Sequence, residues 1–189
     1  RKGACGAPPS MKIHPFIGRM DSLGNFLSGR YYPLNTPECL TSANYLEVMS
    51  DGGALVWGKN NSFFVLRTDV LGEVAWARTF GFIGGFRFIK ELPSGDLLAG
   101  FDLDAGGACV ARLDADGNFL WCKSYMRPWG RMHDVVIESD SAFVISGYAG
   151  TPSDPKLFMM KLDDEGSVQW CRGYDSFPNR WYVFQWSRI

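Results

Sequence analysis

The chain has 189 residues, enough for one sizeable domain or a short array of repeats. Its hydrophobic content of 46% and aromatic content of 15% belong to a packed globular protein and exclude a disordered one. A net charge of −1, spread evenly, gives no electrostatic basis for binding nucleic acid or an anionic membrane; the longest apolar runs are strand-sized, so none crosses a bilayer as a helix.

Residues 1–15 begin with RKGACGAPPS, small, polar and proline-bearing, and read as a tail or linker. No signal peptide and no initiating Met are visible, as expected of a processed N-terminus or a piece of something longer. From Phe16 the chain falls into repeats, approximately 16–60, 61–105, 106–155 and 156–189. The first opens with FIGRMDSLGNFLSGRYY and continues, past the loop PLNTPECLTSA, into NYLEVMSDGGALVWGKN. The second is FFVLRTDVLGEVAWARTF followed by FRFIKELPSGDLLAGFDL. The third is ACVARLDADGNFLWCKSY followed by HDVVIESDSAFVISGYAG, whose Ser139-Asp140-Ser141 turn has no glycine. The fourth is LFMMKLDDEGSVQWCRGYD followed by WYVFQWSRI, and lacks a closing strand.

The turn glycines Gly24, Gly72, Gly117 and Gly166 serve as origins, 45 to 49 residues apart (117 − 72 and 166 − 117), with 48 between the first two. Three residues before each stands Asp21, Asp69, Asp114 or Asp163, and five before stands Arg19, Arg67, Arg112 or Lys161. Four after stands Trp76, Trp121 or Trp170, with Ser28 as the exception. Six after comes Arg30, Arg78, Lys123 or Arg172, and eight after Tyr32, Phe80, Tyr125 or Tyr174. Four short strands per period of this length, with no helical periodicity, predict an all-β fold: a β-propeller of four-stranded antiparallel blades, about four repeats, the last incomplete. FFVL, LFMM and FVIS are apolar at successive positions, which suits sheets covered on both faces.

Within this frame the tryptophans are expected to pack between blades. The repeated aspartates are expected to accept N–H bonds in their own turns. The repeated bases are expected to pair with those aspartates or lie along aromatic rings. Asp114–Gly117 and Asp163–Gly166 lack the ligand spacing of an EF-hand loop, His14 and His133 stand alone, and no G-x-S-x-G, HExxH or phosphate-binding glycine loop occurs. No cofactor, metal or catalytic residue is therefore predicted, nor an enzyme. Cys122 and Cys171 occupy equivalent places too far apart to bridge, and period-two alternation puts Cys109 and Cys122 on opposite faces.

Residues that interrupt the repeat are the candidates for binding a partner: Arg127, Trp129 and Arg131 in one loop, Phe177, Arg180 and Trp181 in the next, and Phe82 in the one before. Aromatics and arginines are the types enriched at binding hot spots.

The pattern (apolar)₃-Lys/Arg-x-Asp-x-x-Gly-x-x-x-Trp-x-Lys/Arg-x-Tyr/Phe, followed by an Asp-Gly-Gly hairpin, resembles a β-propeller repeat of secreted and cell-surface Bacteroidetes proteins, many of which are type IX secretion cargo. It is also similar to the tryptophan-docking motif of quinoprotein propellers, where the Asp stands one residue further from the Gly. The resemblance covers Phe16 to the end and departs at Ser28 and at Asp140-Ser141. It implies an exported or cell-surface protein with a scaffold, adhesive or accessory role. The expected partners are proteins, whether an envelope complex or further blades, with no nucleic acid and no membrane insertion. Carbohydrate binding through loop aromatics, or a fragment of a propeller enzyme, are the alternatives.

Overall fold

The structure is a computed structural model that describes residues 14–33, 42–59, 63–81, 84–103, 107–125, 130–151, 154–174 and 183–186. All regular elements are strands, as the repeat predicts. They fall into two compact units, Arg1–Gly81 and Phe82–Ile189.

In the first unit, β1 (Phe16–Met20) and β2 (Phe26–Tyr31) form a two-stranded ribbon. β3 (Ser42–Val48), β4 (Ala54–Lys59), β5 (Phe63–Thr68) and β6 (Val74–Phe80) form a four-stranded antiparallel meander. Ile17 on the ribbon packs against a buried cluster of Tyr32, Val56, Phe64 and Leu66.

In the second unit, β7 (Gly84–Glu91), β8 (Leu97–Leu103), β9 (Ala108–Leu113) and β10 (Phe119–Tyr125) form another meander. β11 (Gly130–Ser139), β12 (Ala142–Thr151), β13 (Asp154–Asp163), β14 (Val168–Tyr174) and β15 (Val183–Trp186) form a five-stranded one. These two sheets share one core, in which Phe88, Leu98, Ala108 and Val110 meet Met132, Phe143, Ile145, Phe158, Met160 and Leu162.

Each sheet other than the β1–β2 ribbon joins the second hairpin of one sequence period to the first hairpin of the next. Hydrogen bonding thus cuts the chain half a period out of step with the sequence boundaries at 60/61, 105/106 and 155/156. β15, from the last sequence period, adds to the edge strand β14 in antiparallel register.

The Asp-x-x-Gly hairpins share one construction. Gly24, Gly72, Gly117 and Gly166 have φ between 74 and 83°, the left-handed region that lets so tight a turn close without a Cβ clash. The Asp carbonyl accepts from the Gly N–H at 3.0–3.1 Å. Its Oδ1 accepts from two further backbone N–H groups, for example those of Leu71 and Glu73 on Asp69, both at 2.8 Å. Asp21, Asp114 and Asp163 make the same pair of bonds.

Just beyond each turn the register slips by one residue. Thr68 pairs with Val74 but Arg67 with Trp76; Leu113 pairs with Phe119 but Arg112 with Trp121. The same slip recurs at Met20 and Leu162. This β-bulge reverses side-chain parity on one strand. It overturns the expected placing of the cysteines: Cys122 opposes Ala111 and Cys109 opposes Ser124, so Cys109 and Cys122 share a face. A hydrogen bond between the two thiols, with burial behind it, pushes the Cys122 pKa up. Among the described residues Cys109, Cys122 and Cys171 form no disulfide.

The repeated bases reach different partners from those expected. Arg67 pairs with Asp51 at 2.7 Å, Arg112 with Asp96 at 2.8 Å and Lys161 with Glu138 at 2.6 Å, each on a neighbouring hairpin of the same sheet rather than on the repeated Asp. The Asp carboxylates are taken up by their own turn N–H groups, and the bases pair with the acids of the adjoining hairpin. Arg172 lies 5.5 Å from the Trp170 ring centroid, the aromatic alternative.

Replacing Asp163 or Asp114 with Ala strips acceptors from two turn N–H groups and is expected to cost about 1–2 kcal/mol, read from urea denaturation. Asn25, by side chain and then backbone, holds the Asp21 carboxyl below its ordinary value, and Arg67 does so for Asp51. Groups with depressed folded pKa values give their stabilisation above the unfolded value near 3.8 and lose it as pH falls through the folded one. The contribution of these two carboxylates is therefore expected to be flat above about pH 5 and to fall below about pH 4. Urea midpoints of wild type against Asp51→Asn across that range measure it.

Candidate functional site

Of the residues chosen from the sequence as partner-binding, Arg127, Trp129, Phe177, Arg180, Trp181 and Phe82 lie outside the described residues. Arg131 lies on β11, exposed, with its Nε 3.7 Å from Oδ2 of Asp102 on β8. The same Oδ2 accepts from Arg87 Nε on β7 at 2.6 Å, so one carboxylate sits between guanidiniums of adjacent sheets. Asp102 is buried, and its Oδ1 has no hydrogen-bond partner among the described residues. The arrangement ties the two sheets and leaves the far side of Arg131 facing solvent.

A second tie uses Asp140, in the turn that lacks glycine. Its Oδ1 accepts from the Ser94 N–H at 2.8 Å and its carbonyl accepts from Arg112 Nη1 at 3.1 Å.

The repeated aromatics make the most regular inter-sheet contact. Trp121 Nε1–H donates to the carbonyl of Asp164 at 2.8 Å, and the Tyr125 hydroxyl donates to the carbonyl of Gly166. The indole lies so close over Gly166 that a Cβ there would come within 2.8 Å of its ring carbons. Burial, with the Asp163 charge second, pushes the Tyr125 pKa well above the ordinary phenol value. In the first unit, Tyr32 donates in the same way to Gly72 O at 2.9 Å, joined by Arg30 Nη1 at 3.1 Å. Aromatics of one hairpin thus dock on the turn glycine of the next, which sequence spacing alone did not reveal.

Position −8 from the turn glycine defines one sheet face, and positions −9 and −7 the other. On β5 and β9 both faces are buried: Phe63, Phe64 and Val65 at 6, 2 and 2% exposure, and Ala108, Cys109 and Val110 at 0, 4 and 0%. On β1 and β13 only one face is covered. In the first repeat Phe16, at −8, is 47% exposed, beside Met20, Phe26 and Tyr31, all exposed. In the last, Phe158 at −8 is buried at 4%, whereas Leu157 and Met159 are 48% and 40% exposed. This corrects the expectation that LFMM is covered on both sides. Where sheets do meet, the −9/−7 face of one packs on the −8 face of the next, as Ala108 and Val110 do on Phe158. The exposed face of β1–β2 is thus of the −8 kind and that of β13 of the −9/−7 kind, the two kinds that meet between the sheets of the second unit.

Gly166→Ala is expected to destabilise by about 1–3 kcal/mol, since it forces a Cβ both into the left-handed region and into the indole. Trp121→Ala is expected to cost about 2 kcal/mol, below the 3–5 kcal/mol of a fully buried tryptophan because this ring is part-exposed. Chemical denaturation of each variant measures these losses.

No protein-family model and no curated protein matches the chain. Among solved structures it is similar to a protein of unknown function from Bacteroides caccae, at 15% identity and a TM-score of 0.35, over 82% of this chain and 73% of that one.

Proposed function

We propose that the chain is a non-enzymatic scaffold module that binds protein, through the −8 face of β1–β2 and the −9/−7 face of β13, to further sheets of its own repeat type. The observation that supports this is the opposite sidedness of the two exposed apolar faces. Phe16, Met20, Phe26 and Tyr31 form one of them, and Leu157 and Met159 belong to the other. An interface between unlike faces is heterologous, so it propagates or closes a ring rather than stopping at a two-fold dimer. A two-stranded ribbon is also marginal by itself in water and gains from a covering layer. A second copy of the chain meets the requirement with no other component. The resemblance of the repeat supports a place outside the cell or on its surface, and Arg131 supplies a charged rim to the assembly.

Light scattering coupled to size-exclusion chromatography tests the reading. Wild type is expected to exceed the 21.1 kDa of one chain in a concentration-dependent way. Phe26→Asp and Met159→Asp are each expected to restore the single-chain mass while keeping the far-UV spectrum, because each removes one side of the same contact. A wild-type protein that stays at single-chain mass throughout the accessible concentration range overturns the proposal.

A further inference from the structure

Ser28 stands where the other repeats carry tryptophan, and the structure shows what its absence leaves. A cavity of about 320 Å³ opens beneath it, lined by Ile17, Arg19, Ser28 and Tyr32 on the ribbon side and by Leu71 and Gly72 on the turn of the next hairpin. The surrounding frame matches that of the occupied counterpart. Ser28 opposes Arg19 across the bulge as Trp121 opposes Arg112. Tyr32 holds the carbonyl of Gly72 as Tyr125 holds that of Gly166. The difference lies over the glycine itself. A Cβ on Gly166 would meet two carbons of the indole, whereas on Gly72 it would meet only the Tyr32 hydroxyl, at 3.3 Å.

We propose that this cavity is a binding site for a planar heteroaromatic small molecule of indole size bearing a ring N–H. The occupied repeat specifies each part of the recognition. The flat ring fits because it lies on bare glycine backbone, where any side chain would lift it away. The N–H is called for by analogy with Trp121, which donates to the carbonyl two residues before its turn glycine; here the turn that supplies Leu71 and Gly72 to the wall offers the backbone carbonyls. Arg19 and Arg30 flank the space, and guanidiniums favour the faces of electron-rich rings. Ser28, Arg30, Thr68 and Glu73 add polar groups to its wall beside the apolar Ile17 and Leu71. Pockets of roughly 300 Å³ and upward are the usual size for small-ligand sites.

Indole itself is the probe, titrated into the full chain and followed by amide chemical shifts. Saturable shifts centred on Ser28, Gly29, Leu71 and Gly72 are expected. 1-Methylindole, which has the same ring but no N–H, is expected to bind several-fold more weakly. Ser28→Trp fills the space from within and is expected to weaken indole binding at least tenfold while raising the melting temperature. Ser28→Phe serves as the smaller filling variant should the tryptophan fail to fold. Shifts that do not saturate, that centre on other residues, or that persist unchanged in the folded filling variant overturn the proposal. Because indole binding is read on the single-chain Phe26→Asp variant as well, its outcome stands apart from that of self-association.

Discussion

Contact between an aromatic hydrogen-bond donor and the bare backbone of a turn glycine sets the spacing of everything else. Trp121 and Tyr125 reach Asp164 and Gly166, and Tyr32 reaches Gly72, each about one period further along the chain. The Asx turn makes this possible. By satisfying the N–H groups of the turn with its own carboxylate, the repeated Asp leaves the outward carbonyls of the turn for the neighbouring hairpin. A polar contact with a large ring then fixes both the distance and the rotation between sheets, which apolar burial, being non-directional, does not do alone.

The bulge after each turn is the second constraint, and it decides which side chains face which sheet. One extra residue opposite Arg67, Arg112 or Lys161 brings the tryptophan across from the base, which finds its carboxylate on the preceding hairpin. Arg67 and Arg112 are mostly buried where they pair, so removing Asp51 or Asp96 would leave a guanidinium in a partly desolvated setting without its carboxylate. Asp102, shared by Arg87 and Arg131, applies the same device between sheets. The same slip brings Cys109 and Cys122 together.

The distribution of exposure follows from this asymmetric stacking. A sheet whose two faces differ joins a neighbour in one sense only, so within each unit one face of a given kind is left uncovered. Phe16 in the first unit and Met159 in the second belong to such faces, although the matching −8 and −7 residues Phe64 and Val110 are buried. The −8 residues, Phe16, Phe64, Cys109 and Phe158, do not reveal by type which one is exposed. Exposure here depends on what lies beside the sheet and not on the residue itself.

The sequence by itself determined the strand class, the turns and the equivalence of the repeats, because these rest on local chemistry: Asp and Gly at a fixed separation, and apolar runs of strand length. It also marked Ser28 as the odd position. Only the tertiary structure decided which hairpins share a sheet, since a period can be cut at either of its turns and hydrogen bonding alone makes the choice. Only it decided the partners of Arg67, Arg112 and Lys161, because their acids come from another hairpin, and the side taken by Cys122, because a one-residue bulge reverses parity without altering the apolar pattern. The cavity beneath Ser28 likewise needed three dimensions: its far wall, Leu71 and Gly72, comes from the next hairpin, more than forty residues along the chain.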